Sequence, residues 1–190
     1  DRIEAGTFAL SVLGCSGKLI LTGVNTEIYK HLKNILRPIS LLKLKKIDNK
    51  SFSIEKVKNG SLNLKITTTE YPGFPTDLQA QLTSALLKIQ GLNEINEKIF
   101  ENRFMHISEL RRMGAKIKKK GSKVEISGVK EIYGAELMAT DLRASSCLII
   151  AGLMAKGKTI INRVYHLDRG YENIEKKLKA CGAKINRIKK

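Results

Sequence analysis

Three short stretches of this sequence place proton-moving or anion-holding residues beside the start of a helix. In Tyr71-Pro72-Gly73-Phe74-Pro75-Thr76-Asp77, two of the chain's three prolines bracket a Gly-Phe pair. The backbone there is stiff and turned, which sets Asp77 at a helix N-terminus. Two roles are open to Asp77: helix cap, the routine work of Thr or Asp ahead of an apolar helix, or a carboxylate base. Met138-Ala139-Thr140-Asp141-Leu142-Arg143-Ala144-Ser145 repeats the Thr-Asp start and adds Arg143 in the first turn. A cation there opposes the helix dipole. Arg143 either pairs with Asp141 for little gain, or joins the free N–H groups of the helix in holding an anion. His166-Leu167-Asp168-Arg169-Gly170-Tyr171 sets Arg169 just before another helix, with Asp168 available as its cap. Arg169 has the same place in its surroundings as Arg103 in Phe100-Glu101-Asn102-Arg103-Phe104. Convergence of Asp77, Arg143 and Arg169 would suit deprotonation of a hydroxyl beside a phosphate-bearing anion.

Other chemistries find less support. Cys15, Cys147 and Cys181 lie far apart, without a C-x-x-C pair, and histidine is too rare for a zinc site. Cys147 and Cys181 fall in helical, largely apolar stretches, which predicts buried thiols in a reducing cytoplasm. His31 and His106 read as surface or packing residues. No Ser–His–Asp order, glycine-rich phosphate loop or metal motif stands out, so neither a metal nor a cofactor is expected.

The elements that must carry these residues repeat along the chain. In the clearest copy, a helix opens at Thr140-Asp141, Gly157 ends it and the strand Lys158 to Ile161 follows. The loop Tyr165 to Gly170 leads to a helix over about Tyr171 to Cys181, and Gly182 precedes a last strand from Ala183-Lys184-Ile185. The middle copy has a helix from Thr76-Asp77 with Leu78, Leu82, Ala85, Leu86 and Ile89 on a helical period. Gly91, the strand Leu92 to Ile95, the loop Phe100 to Phe104, a helix through Leu110 and Gly114-Ala115-Lys116-Ile117 complete it. The first copy keeps a helix from about Ile3, Gly17, the strand Lys18 to Leu21 and a helix over Thr26 to Leu36; Leu41 to Lys50 has no readable echo. Units of about 60 residues predict an α+β fold of three pseudo-threefold repeats, about 1–70, 71–135 and 136–190, packed as one domain because each alone has too little core.

A chain of 190 residues can bury such a core, and no apolar run approaches the roughly 20 residues of a membrane span. Asp1-Arg2-Ile3-Glu4 does not read as a signal peptide, and a start without Met fits a fragment. The net charge of +17 would ordinarily suggest nucleic acid. The excess is nearly all scattered lysine, however, and stacking aromatics are not interleaved with it.

YPGFPTDLQAQ, FENRFMH, LRRMGA, MATDLRAS and YHLDRGYE together resemble the C-terminal domain of the UDP-N-acetylglucosamine 1-carboxyvinyltransferase family, and DRIEAGTF resembles the point where that family's chain leaves its first domain. The resemblance covers nearly the whole chain and is weakest between Val24 and Ser61. It implies an inside-out α/β barrel of the enolpyruvyl transferase type, two domains of three units each. It implies a cytoplasmic enzyme that transfers enolpyruvyl from phosphoenolpyruvate to the 3-hydroxyl of UDP-N-acetylglucosamine and releases phosphate, the first committed step of peptidoglycan synthesis. By resemblance Asp77 is the general base and binds the sugar nucleotide, as does the backbone at Ile99. Arg143 and Arg169 handle phosphoenolpyruvate, and Arg103 and Asp141 order the closed cleft. The family's Lys-Asn pair and reactive loop belong to the other, N-terminal domain, so this chain is expected to be inactive alone. The strand that completes the domain comes from the protein's extreme N-terminus, so an exposed sheet edge is expected. The alternatives are the shikimate-pathway enolpyruvyl transferase, whose pattern lacks YPGFPTD and FENRFMH, and a basic nucleic-acid-binding module.

Overall fold

The computed structural model describes residues 1–188. Its centre is three helices: α1 (Arg2–Cys15), α3 (Gln79–Ala85, entered through a 3₁₀ turn Thr76–Leu78) and α5 (Leu142–Met154). A helix normally keeps one face in water. Here Ala5 to Gly14, all of α3, and Ala144 to Ala151 are buried. Small residues make this packing close. A Cβ on Gly6 would lie 2.5 Å from Leu78 Cδ1, and one on Gly14 would lie 2.5 Å from Met154 Sδ and 3.4 Å from the Ala85 backbone. These contacts pair early residues with early and late with late, so the three helices run parallel and begin at a common end.

Burial on all sides requires that polar groups be satisfied locally. Ser11, Ser145 and Ser146 donate to carbonyls of their own helices, and Ser84 donates to the Cys147 carbonyl at 2.7 Å. Thr7, Gln81 and Tyr171, one from each third of the chain, meet through bonds of 2.8 to 3.2 Å. The amphipathic helix α2 (Thr26–Leu36) buries Tyr29, His31, Leu32, Ile35 and Leu36, and lies outside this centre.

Three sheets surround the helices. In the first, β1 (Lys18–Thr22), β3 (Ser51–Lys56) and β2 (Leu42–Lys46) are antiparallel in the order β1-β3-β2. The second has four strands in the order β4-β5-β7-β6: β4 (Lys65–Thr67), β5 (Leu92–Asn96), β7 (Lys123–Ser127) and β6 (Lys116–Lys120), with only β4 and β5 parallel. The third is one parallel pair, β8 (Glu136–Met138) and β9 (Ile160–Asn162). Strand roles therefore recur: β1, β5 and β9 correspond, as do β2 and β6, β3 and β7, β4 and β8. Among the described residues the first sheet lacks a strand in the place of β4, and the third lacks one in the place of β7. The expected last strand from Ala183 is corrected on this ground. Its counterpart β6 bonds only to β7, and with no strand in that place Ala183 to Ile188 forms none.

Other expectations shift. Strand β2 and the turn that leads into β3 occupy Leu41 to Lys50, the stretch that had no readable echo. The last helix, α6 (Ile174–Ala180), starts three residues later than expected. Asp168 does not cap it; both its oxygens take Arg187 at 2.6 Å instead. The cysteines are free, Cys147 is buried and Cys181 is exposed, which corrects the expectation for Cys181. Among the described residues no helix is long and apolar enough to cross a membrane.

Two measurements check this packing. Gly91 and Gly182 both have φ in the left-handed region (105° and 92°), but a Cβ on Gly91 would sit 2.0 Å from the Leu62 carbonyl oxygen while one on Gly182 meets nothing within 4 Å. Gly91→Ala is expected to lower stability by more than about 2 kcal/mol and Gly182→Ala by about 1 kcal/mol, read from denaturation midpoints. Burial pushes the Cys147 thiol up to about 12. In native buffer a thiol reagent is expected to label Cys181 and spare Cys147 until denaturant is added, as mass spectrometry would read.

Candidate active site

Among the described residues three helix starts carry an aspartate, and the structure treats them differently. Asp1 caps α1, accepting from the N–H groups of Ile3 and Glu4 at 2.6 and 2.8 Å. Asp141 caps α5, accepting from Arg143 and Ala144 at 2.8 and 3.0 Å. Asp77 caps nothing: the 3₁₀ turn begins after Pro75 with no side-chain cap. The cap reading of Asp77 is thereby set aside.

Freed from the backbone, the Asp77 carboxylate meets two guanidiniums. Its Oδ1 accepts from Arg143 Nε at 2.6 Å and pairs with Arg143 Nη2 as well, and Arg103 Nη1 lies 3.2 Å away. Oδ2 accepts no hydrogen bond from the described residues. All three side chains are 20 to 38% exposed, so the cluster opens to solvent at the helix starts. The alternative of an Asp141–Arg143 ion pair is also set aside. Arg143 spends its backbone N–H on Asp141 and its side chain on Asp77.

Each member is held from behind. Arg103 Nη1 also donates to Thr76 Oγ1 at 2.8 Å, and its guanidinium lies 3.9 Å over the Phe100 ring. Burial, then the Arg143 charge, push Arg103 below the ordinary arginine value, against Asp77, Glu97 and Asp141. Burial raises Asp141, but the N–H groups of Ala144 and Arg143 outweigh it and hold the carboxyl below its usual range. Beneath Asp141, burial pushes His106 down to about 4, so this packing histidine is neutral near pH 7.

The remaining expected residues sit around this cluster. Ile99 lies on the loop after β5; its N–H is bound by Glu97 Oε1 at 2.9 Å, and its carbonyl accepts from no described residue. Arg169 ends the 3₁₀ segment Val164–Arg169 and is exposed, with no ion pair among the described residues. It makes no hydrogen bond or ion pair with Asp77 or Arg143. Its neighbour Gly170 packs on Leu142, where a Cβ would come within 2.8 Å of Cδ2, so this corner lies against the start of α5. Asp77, Arg103 and Arg143 are in contact, and Arg169 stands at the same end. Among the described residues no group of three His, Cys, Asp or Glu could hold a metal.

Sequence reasoning missed Glu97, which is 2% exposed and joins the cluster from below. A signal was present. Strand alternation continued past β5 puts Glu97 on the face of buried Asn93 and Ile95, and an acid on an inward face is unusual.

The chain is similar to known proteins along its length. The family model described as EPSP synthase (3-phosphoshikimate 1-carboxyvinyltransferase) matches residues 1–178. The UDP-N-acetylglucosamine 1-carboxyvinyltransferase of Pelagibacter ubique (strain HTCC1062) is 53% identical over 189 residues, 99% of this chain and 44% of that protein. The protein of that name from Brucella ovis (strain ATCC 25840 / 63/290 / NCTC 10512) is 47% identical over 190 residues, 99% of this chain and 43% of its own length. The chain thus spans about 44% of the length of the curated relatives it matches. Among solved structures, the enolpyruvyl transferase NikO from Streptomyces tendae superposes with a TM-score of 0.85 at 23% identity, over 98% of this chain and 44% of that one. EPSP synthase from Acinetobacter baumannii gives 0.59 at 18% identity, over 88% and 42%. These two likenesses speak to the fold, α+β with its helices at the centre. With a family match running from the capped start of α1 into α6, this chain belongs to the EPSP synthase (3-phosphoshikimate 1-carboxyvinyltransferase) family.

Proposed function

We propose that the full-length protein transfers the enolpyruvyl group of phosphoenolpyruvate to the 3-hydroxyl of UDP-N-acetylglucosamine and releases phosphate. In this reading the chain, with its three units, is one domain of a two-domain cytoplasmic enzyme and carries part of the site. The observation that carries the proposal is Asp77, the one helix-start aspartate that binds guanidiniums instead of its own helix. The names of the relatives at 46 to 53% identity favour this acceptor over shikimate phosphate.

The chemistry follows from charge. The attacking hydroxyl must lose its proton, and a carboxylate within reach can take it. A carboxylate pinned by two cations is a poor base. An incoming phosphate and carboxylate would compete for the same guanidinium forks, drawing Arg143 and Arg103 off Asp77 Oδ1 as the acceptor arrives. Oδ2 already faces away from them. Arg169, unpaired among the described residues, is free to take a second anionic group, and the starts of α1 and α5 add partial positive charge at that end. The Ile99 carbonyl offers an acceptor to the sugar nucleotide, since its N–H is already committed. Asp141 keeps Arg143 in place by capping the helix that bears it.

Steady-state kinetics on the full-length protein test this. Asp77→Asn keeps the shape and loses the base, so kcat is expected to fall between about 10² and 10⁴-fold with the sugar-nucleotide affinity largely kept. Near-normal turnover would return Asp77 to a structural role. Arg169→Lys is expected to raise the KM for phosphoenolpyruvate on the order of ten- to a hundredfold, because an ammonium cannot replace a bidentate fork. Turnover with shikimate 3-phosphate but none with UDP-N-acetylglucosamine would overturn the choice of acceptor.

A further inference from the structure

We propose that Glu97 is a positioning residue that holds both Asp77 and Arg103 in working orientation, an inference that rests on the enolpyruvyl-transfer reading above. Glu97 directly follows β5 and is 2% exposed. A buried carboxylate is costly unless its lone pairs are filled. Oε1 accepts from Thr68 Oγ1 at 2.7 Å and from the N–H groups of Ile99 and Phe100 at 2.9 and 3.2 Å, and Oε2 accepts from Thr76 Oγ1 at 2.7 Å. Among the described residues no cation pairs with it directly.

The two oxygens act on the site along separate arms. Through Oε2, Glu97 takes the only proton of the Thr76 hydroxyl. The Thr76 oxygen is then left to accept, and it accepts Arg103 Nη1 at 2.8 Å. That same nitrogen reaches Asp77 Oδ1. Through Oε1, Glu97 binds the backbone of the loop that carries Phe100, whose ring lies under the Arg103 guanidinium. Thr68 closes this arm by accepting from the Lys98 N–H at 2.9 Å. The guanidinium is thus held at its edge and at its face by groups that a single carboxylate orients.

Comparison within the chain separates this role from one the fold itself needs. Thr68 N–H donates to the Asn96 carbonyl, as Ala139 N–H donates to the Asn162 carbonyl, so Glu97 and Arg163 occupy equivalent places. The third unit has no acid there. Its Thr140 donates to the neighbouring Asp141, which caps α5. The unit that has Glu97 is the one whose Thr donates to that glutamate and whose Asp does not cap.

The test uses the full-length protein and the variants Glu97→Gln, Thr76→Val, Thr76→Ser and the double variant Glu97→Gln/Thr76→Val. Glu94→Gln, which alters a residue of the preceding strand β5 that pairs with Lys123, serves as control. Glu97→Gln puts an amide where the carboxylate accepted, so its kcat is expected to fall on the order of a hundredfold while the KM for the sugar nucleotide and the denaturation midpoint stay near wild type. Thr76→Ser should retain activity and Thr76→Val should lose it. The double variant should be no worse than the more damaging single, because a glutamine keeps one oxygen for the Ile99 and Phe100 N–H groups and both changes then break the same Thr76 bond. Glu97→Gln within about twofold of wild type, or losses that multiply, would overturn the proposal. Should Glu97→Gln not fold, the Thr76 pair decides: equal activity of Thr76→Ser and Thr76→Val overturns it. If the wild-type protein itself transfers no enolpyruvyl group, the functional reading falls, and a crystal structure of Glu97→Gln decides separately. Arg103 displaced from Asp77 supports the positioning role; Arg103 still bridging Thr76 and Asp77 ends it.

Discussion

The close packing of three parallel helices is the constraint on which this structure depends. Helices that touch through Gly6, Gly14 and the small residues of α3 and α5 leave no room for water on any side. Sheets must then lie outside, and the loops that join strands to helices gather at the helix ends. Because α1, α3 and α5 start at one end, residues 77, 103, 143 and 169 lie at that end without being near one another in sequence. A longer side chain at Gly6 or Gly14 would push the helices apart, and the Asp77–Arg143 contact spans two of them.

The three helix-start aspartates show how little residue type says about role. Asp1, Asp77 and Asp141 have the same carboxylate at the same turn of equivalent helices. Two are consumed by backbone N–H groups. The third is released because Thr76 is drawn toward Glu97 and because two guanidiniums offer stronger partners than N–H groups do. Electrostatics between units thereby overrides a local preference that favours capping.

The positive charge is spent unevenly. On the second sheet Lys120 and Lys123 pair with Glu125 and Glu94, contacts at a screened surface that contribute little. At the helix starts Arg103 and Arg143 are partly buried, face one carboxylate and lie near aligned helix dipoles. A planar guanidinium fork matches a carboxylate in a way that a hydrated ammonium does not.

Much was legible from residues alone. Helical periodicity placed α2 over Thr26 to Leu36. Glycines marked where helices stop, and the Thr-Asp pairs marked where two central helices begin. These signals are local, set by backbone sterics and by the period at which apolar residues recur. The β2–β3 hairpin was not read, although Leu42 and Leu44 alternate with lysines; its turn, Ile47 to Lys50, lacks the glycine that stands at Gly121 in its β6–β7 counterpart. The last strand was over-read: a strand exists only with a partner, and no described strand stands where β7's counterpart would. Sequence by itself determined the central helices, their order and most of the residues able to do chemistry. Only the tertiary structure decided that Asp77 faces arginines and not its own helix, and that Glu97 stands behind it. Both rest on hydrogen bonds between residues 21 to 66 positions apart, whose pairing no local pattern encodes.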